Sequence, residues 1–183
     1  MEDRPAETLI HDQVELRRKG LDNVDEQHRV VVESLEHLRP WMPWASGYSR
    51  ESLVQHLTAA QQDWDAGRAF DYEIVCEGAA VGSCGLMRRI GPGGLEIGYW
   101  IHPDSTGRGL ATMAVTALVE AAFALPGVTH VEIHHDEANT ASGAVPRRLG
   151  FTVVSREPDP ERGGAPAESG VTVIQRLNRP RQE

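Results

Sequence analysis

The sequence predicts an α/β protein in which helices cover both faces of one mixed β-sheet. Two β-forming runs, residues 70–77 and 80–90, are joined by a tight turn at Gly78, which is the pattern of an antiparallel hairpin. From residue 95 onward, apolar β-forming runs alternate with helical segments in the order strand, helix, strand, helix, strand. Hairpins followed by such an alternation are typical of a mixed sheet packed between helices.

One strand and two helices are predicted before the hairpin. Their bounds are residues 14–18 for the strand, 22–38 for the first helix and 49–67 for the second. The strand alternates in polarity, and both helices carry apolar residues three or four positions apart. Asp22 and Ser49 are suited to cap the helices, and Pro40 and Gly67 mark where they end.

After the hairpin, the predicted elements are a strand at residues 95–102, a helix at 107–125, a strand at 128–135, a helix at about 140–149, and strands at 151–156 and 171–177. A glycine-rich turn at residues 91–94 precedes the first of these strands, and Pro126-Gly127 ends the long alanine-rich helix. Residues 158–169 are rich in proline and glycine and are predicted to form a mobile hairpin loop, and the tail after residue 177 is predicted to fray.

Length and composition favour a single soluble domain, residues 1–183, with a core from about 12 to 178. Apolar residues make up 40% of the chain and charged residues 25%, and no apolar run approaches the ~20 residues of a membrane span. The acidic N-terminus does not resemble a signal peptide, so a cytoplasmic location is expected. Cys76 and Cys84 fall in neighbouring predicted strands and are expected to be reduced, buried thiols.

The charge balance argues against nucleic acid as a partner. Eighteen basic and 27 acidic residues give a net charge of −9, whereas nucleic-acid binding depends on neutralising phosphates. An acidic protein can attract a cationic substrate such as a protonated amine, but acidic surfaces also simply keep proteins dispersed. No metal site is predicted, because His134 and His135 are adjacent on a strand and point to opposite faces.

The most informative segment is LEIGYWIHPDSTGRGLA, residues 95–111. A β-forming run stops at Pro103, and Gly107 and Gly109 then open a helical segment. This arrangement directs free backbone N–H groups and the positive end of the helix dipole at an anion, and glycines let a phosphate approach the amides closely. The segment lacks a Gly-Lys pair, and Thr112 stands at the third glycine position of the dinucleotide pattern. We therefore predict a phosphate site of another kind.

Three motifs together resemble the GNAT family of acyl-CoA-dependent N-acyltransferases. They are GYWIHPDSTGRGLAT, the N-x-x-S of Asn139 and Ser142, and RRLGF at residues 147–151. Within the family, the chain is most similar to ribosomal-protein N-terminal acetyltransferases of the RimJ/RimL type, which also share a tryptophan-containing segment like LRPWMPWA at residues 38–45. The resemblance is specific between residues 96 and 151 and diffuse before them.

The resemblance implies a fold, a cosubstrate and an activity. The fold is a mostly antiparallel sheet that splays between the fourth and fifth strands, here residues 95–102 and 128–135. The activity is transfer of an acetyl group from acetyl-CoA, without a metal, to a primary amine, with a protein N-terminal amine favoured. A small-molecule amine (an aminoglycoside, polyamine or amino-acid derivative), a longer acyl donor, and a CoA-binding sensor without turnover remain alternatives. Relatives are often homodimers, but the sequence leaves the oligomeric state open.

The implied CoA contacts lie along the fourth strand, the turn that follows it and the N-x-x-S motif. The contact residues are Ile101, His102, Thr106, Gly107, Arg108, Gly109, Leu110, Ala111, Thr112, Asn139 and Ser142. Backbone groups of Ile101 and His102 are expected nearest the thioester. Thr106 stands where the family has Gln or Arg, so Arg108 either supplies the missing positive charge or is an ordinary solvated arginine.

Glu96 is the first predicted catalytic residue. It begins the strand that is expected to carry the thioester, and burial in the acceptor cleft would raise its pKa and let it deprotonate the amine through water. The alternative is a surface residue on an edge strand, paired with Arg88 or Arg89. His102, His134 and His135 are other candidates for the base.

Ser142 is the second predicted catalytic residue. Many family members have a proton-donating Tyr where this chain has Pro146. In the RimJ/RimL-like branch a Ser three residues after the Asn is implied to replace it, so Ser142 would donate a hydrogen bond to the leaving thiolate. The alternative is that Ser142 only caps the helix that follows.

Trp41 and Trp44 lie in the predicted loop between the first two helices. In the family these helices border the acceptor side, so both tryptophans are candidates for an apolar wall of the acceptor site. The alternative, favoured because aromatic residues are mostly buried, is that they anchor the loop to the core.

Overall fold

The computed structural model describes residues 3–159 and 164–180. Its strands are β1 (Thr8–His11), β2 (Val14–Arg18), β3 (Ala69–Cys76), β4 (Ala79–Met87), β5 (Gly94–Ile101), β6 (His130–Asp136), β7 (Thr152–Pro158) and β8 (Val171–Asn178). They form one sheet in the order β1-β2-β3-β4-β5-β6-β8-β7. All neighbouring strands are antiparallel except β5 and β6, which run parallel.

The helices lie on both faces of this sheet. They are α1 (Val24–Leu38), α2 (Arg50–Asp65), α3 (Leu110–Ala124) and α4 (Thr140–Arg148). Helices α1 and α2 contact β4 and β3, respectively, while α3 crosses β1, β2, β4 and β5 on the other face. The predicted mixed sheet with helices on both faces is therefore confirmed.

The main core lies between the sheet and α3. Alternate residues of a strand point to opposite faces, so Tyr72 and Ile97 turn toward α3 while Asp71 and Gly98 turn toward α1 and α2. On the α3 side, Ala114 and other small residues of the helix pack against the strands, and all of them are buried. Small side chains let this helix lie close to the sheet. Cys76 and Cys84 are buried free thiols, as predicted.

Strand β1 is absent from the predicted elements. It has four residues, forms a hairpin with β2 through Asp12 at φ 53°, and leaves Ile10 74% exposed. So short and exposed a strand carries little apolar alternation for sequence analysis to detect. The segment before β1 is held to the sheet by the Tyr72 hydroxyl, which donates to the carbonyl of Ala6 at 2.8 Å.

The β5–β6 pair opens after three residues. Gly94–Glu96 pair with His130–Glu132, and beyond Glu96 the two strands have no register partners in common. This confirms the predicted splay, although β1 makes these strands the fifth and sixth of the chain. The opening is called the gap below.

The proline- and glycine-rich loop is fastened to the rest of the molecule at its C-terminal end. The amide of Ala167 donates to the carbonyl of Pro40 at 3.0 Å, and the Asp136 carboxylate accepts from the amides of Ser169 and Gly170. Residues 160–163 of the predicted mobile loop, and residues 181–183 of the predicted frayed tail, lie outside the described residues. Within the described residues, no helix has the length and apolar character needed to cross a membrane.

Candidate active site

The glycine turn leads into α3. Gly107 and Gly109 have φ values of 75° and 76°, in the left-handed region, so α3 begins at Leu110 and not at residue 107 as predicted. The first helical hydrogen bond runs from the Met113 amide to the Gly109 carbonyl at 3.1 Å. The amides of residues 110–112 therefore precede the helical hydrogen-bond ladder and face outward from the helix start. A Cβ built on Gly107 would meet no atom within 4 Å, so the turn is open enough to admit a phosphate.

Side chains of the turn are largely engaged. The hydroxyl of Thr106 donates to the Pro103 carbonyl at 2.8 Å. Arg108 is neither fully solvated nor free, because its guanidinium lies 3.3 Å from the Glu77 carboxylate. The backbone amides are therefore the open donors of this turn.

Backbone groups of β5 face the gap in an alternating pattern. The His102 amide donates to the Val81 carbonyl at 2.8 Å, so it points toward β4 and is not open to a ligand, contrary to the predicted contact. Because successive residues of a strand point their N–H and C=O groups to opposite sides, those of Ile101 and Tyr99 point toward the gap. Tyr99 is a position that sequence analysis did not assign.

Helix α4 is capped by Asn139 and not by Ser142. The side-chain oxygen of Asn139 accepts from the Ser142 amide at 3.1 Å. Pro146 lies inside the helix and has no N–H, so the Ser142 carbonyl lacks its usual helical donor. The Tyr99 hydroxyl supplies that donor at 2.8 Å, and its oxygen lies 3.4 Å from the Ser142 hydroxyl oxygen. Tyr99 thereby compensates for the proline.

The two hydroxyl groups differ in what they can donate. Burial raises the pKa of Tyr99 to about 12, so its phenol stays protonated. Its proton is directed at the Ser142 carbonyl, which leaves the Ser142 hydroxyl as the donor able to face the gap. Sequence analysis missed Tyr99 because 43 residues separate it from Ser142.

Glu96 is buried, as predicted for a base, and paired with an arginine, as predicted for the alternative. It is buried, with 4% of its surface exposed, and it accepts two hydrogen bonds of 2.7 Å from the Arg89 guanidinium. Such bidentate pairs are strong and hold the carboxylate in one orientation. Glu96 is therefore not a surface residue, and Arg89 is the partner.

A second carboxylate lies beside Glu96. Glu132 is its register partner on β6 and accepts from His134 Nε2 at 2.7 Å and from Arg176 Nε at 2.8 Å. Burial opposes ionisation of Glu132, but these two hydrogen bonds outweigh it and hold its pKa below the ordinary value. Because His134 Nε2 donates to Glu132, the neutral ring has its lone pair on Nδ1, which lies 3.8 Å from Glu96. Sequence analysis had not identified Glu132 or Arg176.

Two neighbouring cavities flank β5. The gap cavity has a volume of about 330 Å³ and is lined by residues that include Trp41, Glu96, His134 and Ser142. The second, of about 480 Å³, lies between the sheet and the α1–α2 side and is called the acceptor cavity below. Both are lined by Met42, Gly98 and Tyr99, so they adjoin across β5.

Trp44 lines the acceptor cavity and does not anchor its loop in the core. It is 44% exposed, and its ring lies 6.5 Å from that of Trp100 and 6.2 Å from that of Tyr48. Ala45, with 1% of its surface exposed, is the residue of this loop that enters the core. The favoured sequence interpretation was therefore wrong for Trp44.

Among the described residues, no group of three or more His, Cys, Asp or Glu side chains is arranged to hold a metal ion.

The opened strand pair and the glycine turn that leads into α3 match the fold that the family resemblance implies. The acetyltransferase (GNAT) domain family matches the sequence over residues 14–152. Because this match covers well over half of the chain, the protein belongs to the GNAT family of acetyltransferases.

Several known acetyltransferases resemble the chain over most of its length. YdaF of Bacillus subtilis (strain 168), provisionally named a ribosomal N-acetyltransferase, is 24% identical over 150 residues, which cover 78% of this chain and 79% of YdaF. RimL, a ribosomal L7/L12 alpha-N-protein acetyltransferase solved with coenzyme A, has a TM-score of 0.86 at 22% identity, covering 94% of this chain and 98% of RimL. The microcin C7 self-immunity acetyltransferase MccE, solved with acetyl-CoA and AMP, has a TM-score of 0.83 at 19% identity, covering 92% and 93%.

Proposed function

We propose that this enzyme transfers an acetyl group from acetyl-CoA to a primary amine, with the N-terminal amine of a protein as the acceptor. The observation that carries the proposal is the position of the gap. It is lined by Ser142, Glu96 and His134, it borders the strand that leads into the glycine turn and α3, and it adjoins the acceptor cavity across β5. Two substrates can thus approach one point from opposite sides.

Acetyl-CoA supplies the acetyl group as a thioester. The amides of residues 110–112 would hold its pyrophosphate, and the gap-facing backbone groups of Tyr99 and Ile101 would hold the chain that ends in the thioester. Asn139 uses its side-chain oxygen as the helix cap, which leaves its amide nitrogen for a ligand. The Ser142 hydroxyl would donate a hydrogen bond to the departing sulfur.

The amine must lose a proton to act as a nucleophile. The Nδ1 lone pair of His134 and the carboxylate of Glu96 lie 3.8 Å apart in the gap, and together they would receive that proton. Arg89 holds Glu96 in place, and Glu132 fixes the orientation of His134 through Nε2. Each proton acceptor therefore has a partner that positions it.

The names of similar proteins support a protein N-terminus as the acceptor. RimL is named for the α-amine of ribosomal L7/L12, and YdaF for ribosomal acetylation. An acceptor of that kind would place the enzyme in the cytoplasm.

The test is release of free thiol from acetyl-CoA in the presence of a panel of amines, with CoA binding measured by calorimetry. The panel holds peptides with a free N-terminus, the same peptides with an acetylated N-terminus, and small amines such as polyamines and aminoglycosides. We expect transfer to the free peptides and none to the acetylated ones. Transfer to small amines alone would contradict the proposed acceptor, and CoA binding without transfer to any amine would contradict enzyme activity.

A further inference from the structure

Two glycines form part of the floor of the acceptor cavity. Asp71, Gly85 and Gly98 lie in one row across β3, β4 and β5, because they are successive register partners. A Cβ on Gly85 would lie 2.7 Å from an Asp71 carboxylate oxygen, and one on Gly98 would lie 3.3 Å from the methyl group of Met87. Glycine at these two positions leaves room for the Asp71 carboxylate and the Met87 methyl group, and all four residues line one channel of the cavity, which runs from the gap to Asp71. Neighbouring strands are about 4.8 Å apart, so this channel is roughly 10 Å long.

Lys19 lies at the far end of this channel. It follows β2, its amide donates to the Asp71 carbonyl at 2.9 Å, and its side chain lines the cavity. It is also the only lysine of the chain, in which the other 17 of 18 basic residues are arginines. The mechanism proposed above for acetyl transfer gives this lysine no role.

The Lys19 ammonium group has no partner within the described part of the chain: it makes neither a hydrogen bond nor an ion pair there. Asp71 is instead hydrogen-bonded to His56, with 3.2 Å between its carboxylate and Nε2. Burial lowers the pKa of Lys19, and the nearby carboxylates of Asp71 and Glu73 only partly oppose this effect. Lys19 is half-buried and its ammonium has no contacting anion, so an anionic ligand group in the cavity would supply the partner that it lacks.

The walls of the cavity indicate which kind of group a ligand would place between the gap and Lys19. Trp44, Tyr48 and Trp100 form an aromatic side, and Val31 and Leu53 of α1 and α2 add apolar surface. An apolar or aromatic group fits these walls, since burying such surface is favourable.

We propose that Lys19 binds a carboxylate of the acceptor, so that the enzyme selects amines that carry an apolar group and, about 10 Å from the reacting nitrogen, a carboxylate. This inference rests on the proposed acetyl transfer to amines. In a peptide, each extended residue spans about 3.3–3.6 Å, so an acidic side chain at the second or third position meets the requirement. The C-terminal carboxylate of a tripeptide meets it equally well.

The kinetic test compares C-terminally amidated peptides that differ in one group, Ala-Phe-Glu-Gly-Gly and Ala-Phe-Gln-Gly-Gly. We expect kcat/KM to be about 10-fold or more higher for the Glu peptide, mainly through KM, and Lys19→Met to bring the two peptides to equal kcat/KM. Arg39→Met, which removes an exposed cation, is the control and should keep the preference. Equal rates on both peptides in the unaltered enzyme, or a preference that survives Lys19→Met, would overturn the proposal. Ala-Phe-Gly as acid and as amide shows whether a terminal carboxylate is also accepted.

A second test does not depend on turnover. Because the chain has one lysine, an amine-reactive label followed by digestion and mass spectrometry reports on Lys19 separately from the N-terminal amine. The N-acetylated Glu peptide cannot react further and should protect Lys19 from the label, while its Gln counterpart should not. Equal labelling with both peptides would overturn the proposal even if Lys19→Met failed to fold. Acetylation of Lys19 itself by acetyl-CoA would make it an acceptor and would also overturn the proposal.

Discussion

At the scale of single residues, Tyr99, Pro146 and Ser142 form one unit. Proline removes the N–H that would bond to the Ser142 carbonyl, and the Tyr99 hydroxyl takes its place at 2.8 Å. The carbonyl is thus satisfied by a group from the sheet, which ties α4 to β5 beside the gap. Ser142 is positioned by this contact and by the Asn139 cap, so its hydroxyl is not required for the helix itself.

The first prediction concerns that hydroxyl. Ser142→Ala should lower kcat roughly 10–100-fold, because a hydrogen bond to developing negative charge is lost in the transition state. It should change Tm little, because Asn139 and not Ser142 provides the cap. Asn139→Ala is the matched comparison and should cost about 1 kcal/mol of stability. Steady-state rates and thermal melts on the same preparations check both effects, and a normal kcat in Ser142→Ala would exclude its catalytic role.

The second prediction concerns Glu96. Glu96→Gln should leave CoA binding intact and lower turnover, with the greatest loss at pH values below the pKa of the amine, where removal of the proton is most needed. Arg89→Gln breaks the same ion pair but keeps the carboxylate, so it should lose less turnover. Rate profiles against pH for both variants separate a base from a structural ion pair. Equal losses in the two variants would assign Glu96 to the ion pair alone.

At the scale of elements, the start of α3 and the opening of β5 from β6 determine where a ligand can bind. Gly107 and Gly109 adopt positive φ, which turns the chain and leaves the first amides of α3 facing outward. Pairing between β5 and β6 ends at Glu96, so the polar backbone of the rest of β5 is exposed to the gap. Each feature depends on local backbone geometry, and in the proposed mechanism they are the phosphate and thioester ends of one site.

The third prediction tests the turn with a control from the other end of the same helix. Gly109→Ala and Gly127→Ala should each lose about 1 kcal/mol or more of stability, because both positions have left-handed φ. Only Gly109→Ala should weaken CoA binding, by about 5-fold or more, because its Cβ stands where the pyrophosphate approaches. Calorimetric titration of CoA into both folded variants measures the difference. Equal affinities would place the phosphate site elsewhere.

At the scale of the whole molecule, the sheet brings distant parts of the chain to one face. Lys19 and Asp71 come from the first half of the chain, whereas Glu96 and Glu132 come from the second. Strand order places them in sequence across β2, β3, β5 and β6, with the glycines of β4 and β5 between. The charged groups on this face include Glu73, which is 4% exposed and whose Oε1 has no hydrogen-bond partner among the described residues.

The fourth prediction follows from Glu73. Burial is the largest effect that raises the pKa of Glu73, and the nearby Glu26 carboxylate raises it further. The hydrogen bond from Asn23 opposes these two effects only in part. The folded state therefore binds the proton more tightly than the unfolded state. Stability from this group is full below its ordinary pKa of 4.5 and is lost as the pH rises through the raised value. Glu73→Gln should accordingly melt higher than the unaltered protein at neutral pH.

The pH dependence provides the check. The difference in Tm between Glu73→Gln and the unaltered protein should shrink as the pH falls toward 4.5. Glu36→Gln, at an exposed position of α1, should show no such trend. A difference that stays constant across this range would mean that Glu73 ionisation does not limit stability.

The sequence by itself determined the elements and the family. Polarity alternation, apolar spacing and turn glycines are local signals, so they predicted most strands and helices and the glycine turn before α3, whereas the opened strand pair was implied by the family resemblance. Glu96 is predicted as a site residue from its position at the start of a strand, and Ser142 from the N-x-x-S motif that the resemblance supplies. Local signals failed where an element was short and exposed, as in β1, and where a left-handed glycine shortened α3.

Only the tertiary structure decided which side chains meet. Tyr99 contacts Ser142, Arg176 holds Glu132, and Lys19 faces the acceptor cavity because of strand order and register, which no local pattern specifies. Trp44 is exposed for the same reason: whether a loop residue enters the core depends on the elements packed beneath it. The chemistry of the site therefore rests on contacts between residues far apart in sequence, and these exist only once the sheet has formed.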